Sequence, residues 1–254
     1  MAAKLAAAAD WRDVAVYARL LAGDHACFAW EWLRRSPAYV ESWETGCGVP
    51  SAFGLVRFED PARDAIIARP FWHAGVDPAV LRGEVVTSGS RDLFDLALLP
   101  HLVTSIAPRL LGEVSEHILV SDGLRSVRID LAAGGPADLP AAVRWHIDGL
   151  RDAGPQLLAL RQLVALSRSG QFSKSLHRPE RRARRWIEML RVHDAIAAGV
   201  THRDIAGALF DVDVSGTGWR AAAGSWRLRV QRLAAGAREC IAMGPAGWLR
   251  SPDG

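Results

Sequence analysis

Apolar positions in this chain recur mostly at spacings of three and four, the period of helices with one buried face, and alternate clearly in only one stretch. Trp11, Val14, Tyr17, Ala18 and Leu21 predict a first helix that Asp10 can cap and Gly23 ends. Residues 25–35 predict a second, with Phe28, Trp32 and Leu33 on one side and Pro37 as its stop. Tyr39 and Trp43 then continue as a short helical turn before the breaker at 46–50. The character changes after Ser51. Residues 53–58 and 84–87 read as short strands, 61–69 as a polar connection, and 92–111 as helical although Pro100 and Pro108 interrupt it. The alternating stretch is HILVSDGLRSVRIDL, residues 117–131, where two apolar runs flank Asp122–Gly123, the dipeptide favoured in type I′ hairpin turns.

Beyond the break at 134–136, residues 143–150 fit strand or helix equally. Residues 156–167 predict a helix with Leu157, Leu160, Leu163, Val164 and Leu166 on a broad apolar face. Residues 180–198 predict a longer amphipathic one, with Trp186, Leu190, His193 and Ala197 near one side and Arg181, Arg184, Arg185 and Arg191 on others. Pairing of Glu180 with Arg184, and of Glu188 with Arg184 or Arg191, would leave these arginines an ordinary solvated surface. The expected architecture is mainly α with a small central antiparallel β-sheet, an α+β chain ending in a helix-turn-helix. Three segments are expected: 1–48, aromatic-rich and helical; 49–135, a central α+β region; and 136–254, a C-terminal helical domain.

The helix-turn-helix lies in residues 201–240. Thr201 can cap a helix whose Ile205, Ala208 and Leu209 form a buried face. An irregular link through Gly216, Thr217 and Gly218 leads to a second helix with Trp226, Val230, Leu233 and Ala237 on its apolar stripe. Ser225, Arg229 and Arg232 occupy one flank of that stripe and Arg227, Gln231 and Arg238 the other. A helix so built can pack on its neighbour while offering guanidinium groups to a duplex. Spacing alone leaves a second reading open, a solvated cationic face. The candidate DNA-contacting residues are Thr201, His202, Arg203, Arg220, Ser225, Arg227, Arg229, Gln231 and Arg232.

Charge sharpens this picture. The 254-residue chain is +3 overall, but residues 174–250 carry 14 Lys+Arg against 7 Asp+Glu, leaving the remainder mildly acidic. A basic segment joined to an acidic remainder suits a polyanion-binding module with a regulatory or scaffolding part. Only Lys4 and Lys174 are lysines, so coding bias alone could produce the arginine richness. Four of the ten tryptophans, Trp11, Trp30, Trp32 and Trp43, fall in the first 43 residues, as a small helical unit needs to bury enough area. Cys27, Cys47 and Cys240 are isolated, which supports neither a disulfide framework nor a paired-cysteine zinc site. No secretory signal or membrane-length apolar run is present, and a cytoplasmic protein without membrane partners is expected.

Catalytic signatures are missing: no phosphate-binding loop, dinucleotide fingerprint, nucleophile elbow or two-histidine metal helix is found. Glu113, Glu116 and His117 are close enough in sequence to suggest a metal, but read as a solvated strand edge. His193 reads as a core histidine. The expectation is a non-enzyme with no catalytic residues, metal site or cofactor.

The opening DWRDVAVYARLLAGDHACFAWEWLRRSPAYVESW resembles a short proteobacterial transcriptional-regulator-like domain, whose pattern is D-W-R-x(4)-Y followed by W-E-[FW]-L-R-R-x-P-x-Y. The segments LRVHDAIAAGVTHRDIAGALF and WRAAAGSWRLRVQRLAAGARECI resemble a variant helix-turn-helix domain formerly of unknown function. Chains joining the two are similar to activators of transfer genes on integrative and conjugative elements. The resemblance implies double-stranded promoter DNA as a partner, with RNA polymerase or another regulator as a second and a homodimer as the assembly. It also implies an alternative, because relatives carrying the second domain act as antiactivators that bind and mask another transcription factor. The N-terminal aromatic unit is the candidate for the protein contact.

Overall fold

The computed structural model describes residues 10–86, 95, 101–106, 115–132, 142–147, 149–150, 153–214 and 218–250. In chain order the helices are α1 (Val14–Ala18), α2 (His25–Leu33), α3 (Pro37–Thr45), α4 (Ala65–Ala68), α5 (Ala153–Ser169), α6 (Ala183–Ala197), α7 (His202–Phe210) and α8 (Gly218–Leu249). The strands are β1 (Leu81–Val86), β2 (Val103–Ile106), β3 (Ser115–Ser121), β4 (Ser126–Ala132) and β5 (Ala142–His146). They form two compact units. One takes the chain up to Val49, Glu59–Ala65 and everything from Pro179; the other takes Pro50–Phe58 and Ile66–Arg178. Parts of the expected segments 1–48 and 136–254 therefore share a unit, while α5 belongs with the strands.

In the second unit the sheet order is β2-β3-β4-β1-β5. The sheet is mixed, where an antiparallel one was expected: β1 runs parallel to β4, with Leu81 opposite Ile129, and the other pairs are antiparallel. The β3–β4 hairpin forms where the alternation predicts it, but its tip is Gly123–Leu124, one position beyond Asp-Gly. The Asp122 amide donates to the Arg125 carbonyl, and its carboxylate accepts from the Leu124 and Arg125 amides. Helix α5 closes the core, setting Ala159, Leu163 and Leu166 beside Leu81, Ile118, Ile129 and Leu131. Gln156 is buried there while Leu157 is 51% exposed and Val164 40%, so the helix is rotated away from the broad leucine face expected. The strand expected over 53–58 is a 3-10 turn, Pro50–Phe53, followed by a single bridge from Leu55 to Trp72. Within 92–111, read as helical, residues Val103–Ile106 are strand β2 and most of the rest lie outside the described residues.

The first unit is all helical. Asp13 caps α1 through the Ala15 amide (2.8 Å), while Asp10, the expected cap, holds only the preceding turn through the Arg12 amide. Trp11, Tyr17 and Leu20 are buried; Val14 and Leu21, expected beside them, are exposed, Leu21 where the chain tightens to a 3-10 turn at Arg19–Ala22. Asp24 caps α2, whose residues from Cys27 to Leu33 are all buried. A helix buried on every side is enclosed by protein rather than lying at its surface. Helices α2 and α6 both pack on α8. A Cβ on Gly236 of α8 would lie 2.9 Å from the terminal methyl of Met189 on α6, so a side chain there would make that flexible methionine shift. Helix α8 starts at Gly218, inside the expected link, and its regular course breaks at Gly244 (φ 68°, ψ 169°) before Pro245. The break lets Trp248 turn back, where its indole N–H donates to the Cys240 carbonyl (2.9 Å) and its ring lies 4.6 Å from Trp186, 5.2 Å from His25 and 6.1 Å from Trp32.

Candidate nucleic-acid interface

Helix α7 begins as its sequence predicts. The Thr201 hydroxyl accepts from the Asp204 amide (3.3 Å) and donates to its carboxylate (2.7 Å), a reciprocal cap of the first turn. Thr201 is thus engaged within its own helix, and the Asp204 carboxylate sits where a phosphate would meet the helix amides. Ile205 and Ala206 are the buried residues of α7; Ala208, expected on that face, is exposed. His202 is half-buried and Arg203 exposed, with the Arg203 guanidinium donating to the Val214 carbonyl. Asp211 ends α7 in the left-handed conformation (φ 50°).

On α8, Val230, Leu233, Ala234, Ala237 and Cys240 are buried, which fixes the rotation of the helix. Ser225, Arg227, Arg229, Gln231, Arg232 and Arg238 are all exposed. They lie on two flanks either side of Leu228, itself 44% exposed. Arg220 is in the first turns of α8, with its side chain outside the description.

The arginines differ in engagement. Arg229 lies over the Phe210 ring (4.1 Å) and near Trp226 (5.6 Å), two rings stacked 5.3 Å apart, and it pairs with Glu188 of α6 at 3.6 Å. It ties α8 to α7 and α6. The side chains of Arg227, Arg232 and Arg238 have no hydrogen bond or ion pair to another described residue. Among the described residues their charge meets no counter-charge.

A second group of arginines, in the turn that ends α2, has the opposite setting. Arg35 is 6% exposed and grips Asp194 of α6 with two bonds, Nε to Oδ1 (2.7 Å) and Nη2 to Oδ2 (2.6 Å). Its Nη1 donates to the Glu31 carboxylate (2.6 Å) and carbonyl (2.7 Å). Arg34 joins through Glu31 (2.7 Å), and the Tyr17 hydroxyl donates to Asp194 (2.7 Å). Glu31 also accepts from the Ala65 amide (2.9 Å). Burial pushes both carboxyls up, but the guanidinium groups more than offset it: Arg35 holds Asp194 below the usual carboxylate range, and Arg34 with Arg35 does the same for Glu31. Tyr39 adds a further tie, donating to the Glu59 carbonyl and accepting from its amide. Sequence reasoning had no signal for this network, because Arg35 and Asp194 are 159 positions apart.

Among the described residues no group of histidine, cysteine and carboxylate side chains is arranged to hold a metal. His117 lies within β3, not before it, and bonds Asp130 on β4, while Glu113 is outside the described residues.

Residues 10–53 match a family model described as a proteobacterial transcriptional regulator-like domain. Residues 147–245 match one described as "T6SS, Transcription factor, DNA binding domain". Together they indicate a DNA-binding transcriptional regulator. No curated protein and no solved structure matches the chain. The two family segments meet inside the first unit, since Tyr17, Glu31 and Arg35 come from one and Asp194 from the other.

Proposed function

We propose that α7 and α8 act as a variant helix-turn-helix and that α8 is the recognition helix, entering the major groove of promoter DNA. The observation that carries this reading is the exposed charge of Arg227, Arg232 and Arg238, without an ion pair among the described residues, on flanks either side of a buried Val230–Leu233–Ala237 stripe. A helix with its side chains is roughly 10–12 Å across, which matches a major groove about 12 Å wide. Inserted with Leu228 leading, it sets one flank against each phosphate-lined wall. Arginines on the walls supply affinity, and the leading residues meet base edges. Arg229 holds the helix pair in position, Thr201 caps the bracing helix, and His202, Arg203, Arg220, Ser225 and Gln231 are the remaining contacts proposed.

The regulated genes are proposed to be conjugative-transfer genes of a mobile element, with the protein acting as a cytoplasmic activator that touches RNA polymerase and binds as a homodimer. The joined N- and C-terminal motifs support this reading. The description of the C-terminal family names T6SS instead, which favours secretion-system genes as the second reading. Of the N-terminal tryptophans, Trp43 is 37% exposed whereas Trp11, Trp30 and Trp32 are buried, so a polymerase contact falls to the α3 surface.

Chromatin immunoprecipitation of the full chain, with and without Arg227→Ala and Arg232→Ala, tests the proposal. Peaks upstream of transfer genes that vanish in the variant are expected; peaks at secretion genes select the second reading. Absence of peaks, with a transcription factor co-purifying instead, would establish the masking antiactivator.

A further inference from the structure

The α6 arginines were expected to pair along their own helix, and the structure removes both partners. Glu180 turns its carboxylate to His25 Nδ1 (3.0 Å) and to the Arg182 backbone amide (2.9 Å), and its side chain is 6% exposed. Glu188 reaches away to Arg229 on α8. Arg191 is taken up by the Trp11 carbonyl (2.8 Å). What remains is RRARR, residues 181–185, in which Arg181, Arg182, Arg184 and Arg185 are exposed. Their guanidinium groups have no hydrogen bond or ion pair to another described residue. Four like charges within five positions repel one another, so an uncompensated cluster of this density costs stability unless a polyanion neutralises it.

The cluster is continuous with α8. Arg184 and Arg185 are four and three positions before Glu188, hence on its face of the helix, and Glu188 bridges to Arg229. On α8, Arg229 shares its flank with Ser225 and Arg232. Arg184 and Arg185, at the start of α6, therefore extend one flank of the recognition helix sideways along the α6–α8 packing, with Arg181 and Arg182 just before them in the chain.

We infer that Arg181, Arg182, Arg184 and Arg185 form a second duplex-binding surface, which grips phosphates beyond the groove that α8 enters. It rests on the proposed DNA contact but makes its own demand: the footprint is wider than one helix, and the added contacts are to phosphate and indifferent to sequence. The delocalised guanidinium groups suit phosphate oxygens.

The test compares the full chain with Arg181→Gln/Arg184→Gln/Arg185→Gln and, separately, Arg227→Gln/Arg232→Gln, titrated onto labelled duplexes of about 12 and about 30 base pairs over a salt series. The α6 variant is expected to lose roughly 10-fold or more in affinity for the long duplex and little for the short one. Its slope of log K against log salt should fall by about 0.9 for each phosphate released. Unaltered affinity and slope in the α6 variant, while the α8 variant weakens, would overturn the inference and leave the α8 reading standing. The reverse pattern would keep the phosphate contact of the α6 cluster but remove the α8 reading, and with it the claim that the cluster is a second surface beside an entered groove. If the α6 variant lost only affinity for anionic phosphatidylglycerol vesicles, the cluster would belong to a lipid surface and the inference would fall. Wild-type protein without affinity for either duplex would overturn both. Because the replaced side chains are exposed and the change relieves their mutual repulsion, thermal midpoints should be no lower than wild type.

Discussion

Arg35, in the turn after α2, and Arg232, on α8, are the same residue type in the same unit, and their surroundings give them opposite work. Arg35 is enclosed with two carboxylates and holds α2 against α6. Arg232 is exposed and its charge meets no counter-charge among the described residues. A buried guanidinium is costly to desolvate and remains only where its partners satisfy it; an exposed one with no partner is available to a ligand. In this chain, arginine-rich sequence therefore has two meanings, separated by where the carboxylates fall in space. The comparison also bears on the N-terminal regulator-like segment. Its W-E-W-L-R-R motif is internal, joining the segment to the helix that carries Asp194, instead of forming a separate contact module.

The contrast predicts that Arg35→Ala is the most damaging single change considered. It leaves Asp194 and Glu31 buried without their main partner, and removal of one partner from a buried pair costs roughly 3–5 kcal/mol. Chemical denaturation should show that loss, while Arg35→Met combined with Asp194→Leu should be less harmful than the sum of the two. Equal stability of Arg35→Ala and wild type would mean that the network contributes nothing to the fold.

Trp248→Ala should cost about 3 kcal/mol, because the indole fills the space between Trp186, Trp32 and His25 and satisfies the Cys240 carbonyl. Differential scanning calorimetry would show a lowered midpoint for the helical unit. A midpoint shift confined to the sheet-bearing unit would contradict the packing described.

Acid should unfold the helical unit. Asp194 and Glu31 titrate lower folded than unfolded, so the unfolded chain takes up protons first as pH falls; their stabilisation is complete above the ordinary carboxylate range and is lost through the lower folded values. His193 acts in the same direction from a higher pH, since burial lowers its pKa and the unfolded imidazole protonates first below its usual value. Denaturation midpoints should therefore fall slightly below neutral pH and more steeply below about pH 4. In Arg35→Met/Asp194→Leu the steep part should flatten. A midpoint independent of pH down to that range would deny the carboxylates their role.

The sequence carried much of the helical unit and less of the rest. Capping by Thr201, the buried stripe of α8 and the existence of α2 and α6 follow from local spacing and side-chain chemistry, which are visible in a single stretch of chain. The β3–β4 hairpin was legible for the same reason. The parallel pairing of β1 with β4 was not, because it joins residues 48 positions apart and no local pattern specifies it. The rotation of α5, exposing Leu157 and burying Gln156, depends on the sheet it covers. At the candidate interface, charge and exposure of the α8 arginines were legible. The diversion of Glu188 to Arg229 and Glu180 to His25, which frees the α6 cluster, was not: pairing rules within one helix point those carboxylates elsewhere.

Smallest in stability, and most decisive for function, is the outward side of the comparison. Arg227→Gln/Arg232→Gln should leave the unfolding free energy within about 0.5 kcal/mol of wild type, as exposed, unpaired side chains do. The direct test is the salt dependence of duplex binding by that variant. A slope reduced by about 1.8 relative to wild type, one phosphate for each guanidinium, is the result expected of a recognition helix that meets DNA through these side chains. An unchanged slope and affinity would contradict the account, whatever the fold does to place those arginines at the surface.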